Sequence, residues 1–206
     1  ADAMTLTLTN VGAFVGVGGS LNDNGTPTNY ADDTVVNGTL GFGATVSTLT
    51  LVSIKDRGAS ALLANDDVSY LGVALDDFNG NLVGLDDLLV FNAYGVDALI
   101  NKVAKGAAVA GTPAKLDWST FTNTGLDISA AKTALNGTSL LALTASVDLA
   151  VKGGVALNVL NGVLVAKGGF NIALGQVRSA ALASGVGQDA DAMTLTLTNV
   201  GAFVGV

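Results

Sequence analysis

Ala1-Asp2-Ala3-Met4-Thr5-Leu6-Thr7-Leu8-Thr9-Asn10-Val11-Gly12-Ala13-Phe14-Val15-Gly16-Val17 opens the chain and returns without a change as Ala190 to Val206. Thr and Leu alternate from Thr5 to Thr9, the period-two pattern of a strand with one apolar face. The parity then switches, with Leu6 and Leu8 at even positions and Val11, Val15 and Val17 at odd ones. Strand faces alternate with period two, so the switch requires a bulge, bend or corner near Asn10-Val11. The segment from Leu88 to Val103 switches in the same way: Leu89 and Phe91 are odd, whereas Val96, Ala98 and Ile100 are even. A second irregularity is therefore expected near Tyr94-Gly95.

The two copies are offset by 189 residues. Seventeen identical residues do not recur by chance, so residues 1–189 read as one repeat unit and 190–206 as the start of the next. Two readings compete with this: a duplication introduced in cloning, or a short element used twice in one domain, such as both edges of a closed sheet. A period of this length is domain-sized, too long for one solenoid rung. The array reading makes adjacent copies of the same repeat the expected partners, end to end through 1–17 and 190–206.

Outward from the repeat, strand signals dominate. Leu40 to Ile54, Tyr70 to Leu75, Leu88 to Val103, Leu140 to Val151, Val155 to Leu160, Val163 to Ala166 and Phe170 to Val177 carry alternating or β-branched apolar residues. Gly153-Gly154, Asn161-Gly162 and Gly168-Gly169 punctuate the last part, and such dipeptides supply the positive φ of tight hairpin turns. The expected class is all-β: an elongated, strand-rich repeat unit built as an antiparallel meander or sandwich, or as a β-solenoid with corners at the same glycines. Helices are minor. Leu126 to Gly137 is the best of them, capped at Ser129 or Asp127 and stopped at Gly137, with Arg57 to Asn65 and Arg178 to Ser184 as weaker alanine-rich cases.

Composition narrows the chemistry. The chain has 206 residues, no Cys, no His and no Glu, so all 17 acidic residues are Asp; nine Lys and Arg leave a net charge of -8. That balance opposes nucleic acid and anionic membranes. Disulfides, thiolate or imidazole metal sites and Ser-His-Asp catalysis are excluded by inventory. The opening residues lack the basic and apolar regions of a signal peptide, so the chain reads as a mature or excised piece. Thr34 to Ile54 has no charge, yet its Gly and Thr content and its alternation suit buried strands rather than a membrane helix. The 11 aromatic residues show no clustering at strand ends of the kind that forms barrel girdles. As one globule, a chain of this mass would expose roughly 8,800 Å² of about 29,600 Å² in the unfolded chain.

Asp pairs recur at Asp32-Asp33, Asp66-Asp67, Asp76-Asp77 and Asp86-Asp87. Calcium takes hard oxygen ligands from Asp, Asn and turn carbonyls, and adjacent carboxylates repel unless a cation lies between them. Asp23, Asp32 and Asp33 in one loop, and Asp76, Asp77 and Asn79 in another, are the candidate ligands. The competing explanation is that Asp and Asn occupy turns because they hydrogen-bond their own backbone. No EF-hand is possible without Glu. Gly16-Val17-Gly18-Gly19-Ser20 lacks the Lys-Ser/Thr of a phosphate loop, and Ser129-Ala130-Ala131-Lys132 lacks the companions of a serine-lysine enzyme. Trp118 and Phe121 read as a hydrophobic anchor under a loop. No residue set points to catalysis, and the chain is not expected to be an enzyme.

The segments Leu6 to Val11, Phe14 to Gly18, Tyr70 to Ala74, Leu82 to Leu88, Val96 to Asn101 and Gly162 to Phe170 together resemble the long repeats of very large bacterial surface proteins. The resemblance rests on apolar spacing and glycines. It implies an extracellular or cell-surface, adhesin-like or matrix-forming protein in which each copy is a structural spacer. Two other classes stay open: a carbohydrate- or ligand-binding β module, which needs exposed Tyr and Trp on one face, and an Asp-dependent hydrolase, which needs a cleft with two carboxylates about 5 to 9 Å apart.

Overall fold

The structure is a computed structural model of the chain that describes residues 1–59, 64–179, 181–182 and 189–205. Seven long strands form one antiparallel sheet: β1 (Asp2–Val17), β4 (Leu40–Asp56), β5 (Val68–Val83), β6 (Leu89–Lys105), β7 (Val147–Val159), β8 (Leu164–Arg178) and β9 (Asp189–Val204), in that spatial order. The short strands β2 (Ser20–Asn22) and β3 (Thr34–Val36) make a separate hairpin between β1 and β4. The all-β expectation holds, and of the architectures left open the antiparallel meander is the one adopted. The sheet does not close into a barrel, because β1 and β9 lie at its two ends.

The parity switches mark real irregularities. Asn10 has φ 52° and Gly95 has φ 56°. Asp77 (φ 48°) and Asn199 (φ 49°) extend the series. Pairs on either side place Ser47 of β4 between Asn10 of β1 and Asp77 of β5. Ladder shifts follow beside Phe78, between Tyr94 and Asp97, and between Lys167 and Gly169. A crease thus crosses the sheet at mid-strand, and on each side of it a different parity carries the apolar residues.

Gly153-Gly154 and Gly168-Gly169 are not turns: β7 and β8 run straight through them, and only the turn at Asn161-Gly162 separates the two. Their role is close approach at the crease. A Cβ on Gly154 would sit 2.2 Å from the Tyr94 ring, and one on Gly153 would sit 2.7 Å from the Val96 side chain. Likewise Asp76, Asp77 and Asn79 lie inside β5, which continues well past the predicted end at Leu75.

The core lies on one face of the halves of β4, β5, β6 and β7 that are in line with the exposed N-terminal half of β1. Thr7, Thr50, Ala74, Leu99, Ala150, Ala173 and Thr194 form one row across the sheet, and the four inner residues from Thr50 to Ala150 are buried. The β6–β7 connection, which carries α1 (Ser129–Leu135), lays Trp118, Ile128, Leu135 and Leu143 over this face. The helix is shorter than expected, and Asp127 Oδ1 accepts from the Ser129 amide at 2.9 Å at its start. Leu140 packs against the core from this connection rather than from a strand. Of the weaker helical segments, residues 60–63, 180 and 183–184 lie outside the described residues; Ala64–Asp66 forms a 3-10 turn.

Trp118 is fully buried, as the anchor reading expected, and its Nε1 donates to Asn101 Oδ1 at 3.1 Å. Asn101 Nδ2 in turn donates to the carbonyls of Leu116 (2.8 Å) and Thr144 (2.9 Å), so one buried amide ties the connection to β6. The accessible surface is 12,167 Å², well above the roughly 8,800 Å² of a compact chain of this mass. An open sheet covered over part of one face accounts for the excess.

Candidate functional site

The feature that stands apart is the pair of edge strands. β1 and β9 carry the same sequence, and six antiparallel steps separate them, so they run in the same direction. Residue rows show that they also present the same face. Leu6, Leu51, Val73, Ile100, Leu149, Leu174 and Met193 are in register, as are Leu8, Leu49, Leu75, Ala98, Val151, Ile172 and Leu195. Met193 is the counterpart of Met4 and Leu195 of Leu6. Same direction and same face, with neighbours on opposite sides, means that β1 uses one hydrogen-bonding rim on β4 and β9 uses the other rim on β8. Each strand leaves free the rim its twin has paired.

The stagger is consistent on both sides of the crease. The row from Leu6 ends at the counterpart of Met4, and the row Phe14, Gly43, Asn81, Asn92, Ala156, Lys167, Gly201 ends at the counterpart of Gly12. Both shift by two residues across the sheet. An even shift keeps every side chain on its own face.

The two aliphatic rows lie opposite the Trp118 face and reach both edges. Leu6 and Leu8 are exposed on β1, as are Met193, Leu195 and Leu197 on β9. Each row holds only apolar side chains across seven strands.

The candidate ligands fall into two groups that meet only in part. In the first loop the Gly25 amide donates to Asp23 Oδ1 at 3.0 Å, and Thr26 Oγ1 donates to Asp32 at 2.8 and 2.9 Å, the local turn chemistry that competes with a cation role. At the crease, Asn79 Nδ2 donates to Asp77 Oδ1 at 3.0 Å. Asp33 and Asp77 line one cleft with Asn10, Thr45 and Ser47, and Asp33 Oδ1 is buried without a hydrogen-bond partner. Among the described residues no three acidic side chains gather as a metal site.

Asp97 is the carboxylate that residue patterns missed. It is buried, accepts from the Asp77 amide (2.9 Å) and Ser139 Oγ (2.6 Å), and lies 3.4 Å from Lys152 Nζ. Burial pushes its pKa up, but those donors outweigh it and hold the carboxyl below the usual range. Its neighbour Asp76 is raised, first by burial, then by the charges of Asp97 and Asp77 and a hydrogen bond with Asp97. Of the two carboxyls, Asp76 is the one shifted toward its protonated form. The sequence carried no signal for Asp97: it lies on the parity opposite the even-numbered Val96, Ala98 and Ile100, whereas the structure buries the odd-numbered Asp97, Leu99 and Asn101.

Trp118 is buried, while Tyr30 and Tyr94 are exposed on separate elements. Comparison with protein-family models, curated proteins and solved structures found no match.

Proposed function

We propose that the chain is a unit of a tandem structural array in an extracellular or cell-surface protein, a spacer or scaffold for adhesion or for a matrix. Neighbouring copies join through 1–17 and 190–206, so that β9 of one copy serves as β1 of the next. The observation that supports this reading is the edge geometry: identical strands, same direction, same face, opposite free rims. One shared strand then pairs with β8 on one side and with the next copy's β4 on the other. The result is an uninterrupted antiparallel sheet with no open edge between copies.

Each added copy extends such a sheet by six strands, an advance of roughly 29 Å at about 4.8 Å per strand. The aliphatic rows continue through the shared strand, since Leu195 closes one copy's row and stands as Leu6 in the next. Low charge suits a unit whose edges are covered by neighbours. The resemblance to repeats of large bacterial surface proteins agrees with this assignment, and calcium enters it at the Asp33 and Asp77 cleft.

Denaturant unfolding of chains with one, two and three copies tests the array. Nearest-neighbour pairing predicts midpoints that rise with copy number. Equal midpoints would remove the proposal.

A further inference from the structure

The array places β9 against the β4 that follows it in the same chain. Resting on that reading, we propose that separate chains also join in trans: β9 of one molecule displaces β1 of a second and takes its place on β4. The partner is a second copy of this chain, and the product is an end-to-end polymer held by exchanged strands.

The fit is set by identity. Every contact that β1 makes with β4 can be remade by β9, because the side chains are the same. Asp2, which accepts from Arg57 Nε at 2.6 Å, has its counterpart in Asp191. Thr9, opposite Thr48, has its counterpart in Thr198.

The incoming strand already has the required shape. Asn199 has the left-handed backbone of Asn10, with φ 49° against 52°. Phe203 folds over Gly205 as Phe14 folds over Gly16, with the ring tip 2.8 and 2.7 Å from the position a Cβ would take. Pairing with β8 has ordered β9 beforehand, whereas β1 is ordered only by binding β4 and by light contact with β3 and α1. Exchange therefore keeps the β4 ladder and releases β1 to the unfolded chain, so the conformational entropy of β1 is regained. All but two of the residues of β1 are exposed, so little else holds it in place.

The full 206-residue chain has no Cys, so a Thr48→Cys, Thr198→Cys variant carries the only two thiols. Within one molecule these lie on β4 and β9, five strand spacings or about 24 Å apart, far beyond the roughly 7 Å limit for a disulfide. Mild oxidation is expected to give a ladder of dimers, trimers and higher species on a non-reducing gel. A Thr45→Cys, Thr198→Cys variant, three residues out of register, is expected to exchange strands without forming the bond and so to run as a single monomer band on the same gel. A Thr48→Cys, Thr198→Cys chain that folds, with the unfolding midpoint of the parent, yet gives no ladder overturns the proposal; so does an equal ladder from the out-of-register variant. Where the variants do not fold, sedimentation of the unmodified chain at rising concentration decides: polymers supported the proposal, and a monomer at every concentration overturns it. A two-copy chain with Thr198→Cys and with Thr48→Cys in its second copy separates the two levels. A bond within that chain, without a ladder from the one-copy variant, sinks exchange and leaves the array standing. No bond in the two-copy chain sinks the array as well.

Discussion

Asn10 and Asn199, 189 positions apart and at opposite edges of one sheet, hold the same left-handed backbone, with φ 52° and 49°. A non-glycine residue enters this region at a cost, and Asn meets it more easily than β-branched residues do. Asn10→Val and Asn199→Val are each predicted to destabilise the chain by about 1–2 kcal/mol, and Asn→Gly at either site is predicted to be neutral or stabilising. Urea unfolding midpoints check the four variants; tolerance of Val at both sites contradicts the crease.

The Trp118–Asn101 bond is the second structural centre. Trp118→Ala empties the space over the sheet and should cost about 3–5 kcal/mol. Asn101→Ala leaves the indole N–H and the Leu116 carbonyl without their partner, while the Thr144 carbonyl keeps the Val147 amide, and should cost about 1–3 kcal/mol. The two losses share a contact, so the double variant is expected to lose less than their sum, which a double-mutant cycle measures.

Gly72 lies directly beneath this centre. A Cβ there would sit 2.8 Å from the Trp118 ring and 2.9 Å from Leu135. Gly72→Ala is predicted to lower stability by about 1–3 kcal/mol through overpacking, and thermal unfolding reads the loss. Gly25, with no atom near its Cβ position, has no such neighbour to displace, so its φ of 79° is the sole cost of Gly25→Ala.

Asp76 and Asp97 give stability opposite pH dependences. The carboxyl of Asp97 is held below its ordinary value, so its contribution is present above about pH 3.9 and is lost as the pH falls through its folded-state value. Asp76 is raised, so its favourable, protonated state is lost as the pH rises through its folded value. Asp76→Asn is therefore predicted to raise the unfolding midpoint at pH 7, with the gain disappearing in acid, and Asp97→Asn to lower it at pH 7 with the deficit shrinking in acid. Midpoints measured from pH 3 to pH 8 check both signs.

At the cleft shared by Asp33 and Asp77, millimolar calcium is expected to raise the melting temperature of the parent chain and not of Asp33→Asn. An equal response from both removes Asp33 from any cation site.

The strand halves and the crease were legible because period-two patterning is local: Leu6, Leu8 and Val11 reveal both the strand and its break. The glycine pairs misled because Gly153-Gly154 has the local chemistry of a turn, whereas its cause is the Tyr94 ring on the neighbouring strand, a contact made across 60 residues of chain. Trp118 was legible as an anchor, but the sheet face that it, Leu135 and Leu143 cover was hidden for a similar reason, since no periodic pattern links a loop to the face it lies on. Asp97 was invisible as a partner of Asp76 until register brought β5 and β6 together. The edge relationship was half visible: the repeat was plain in the residues, but rim and face follow only from strand order.

In the proposed array β9 of one copy is β1 of the next, and amide hydrogen exchange along residues 190–206 reads this sharing strand by strand. In the one-copy chain, diluted until it sediments as a monomer, this strand has one free rim, so slow and fast amides should alternate. In the two-copy chain the same residues are predicted to be slow throughout, because the second copy's β4 occupies the free rim. An alternating pattern that persists unchanged in the two-copy chain contradicts the account.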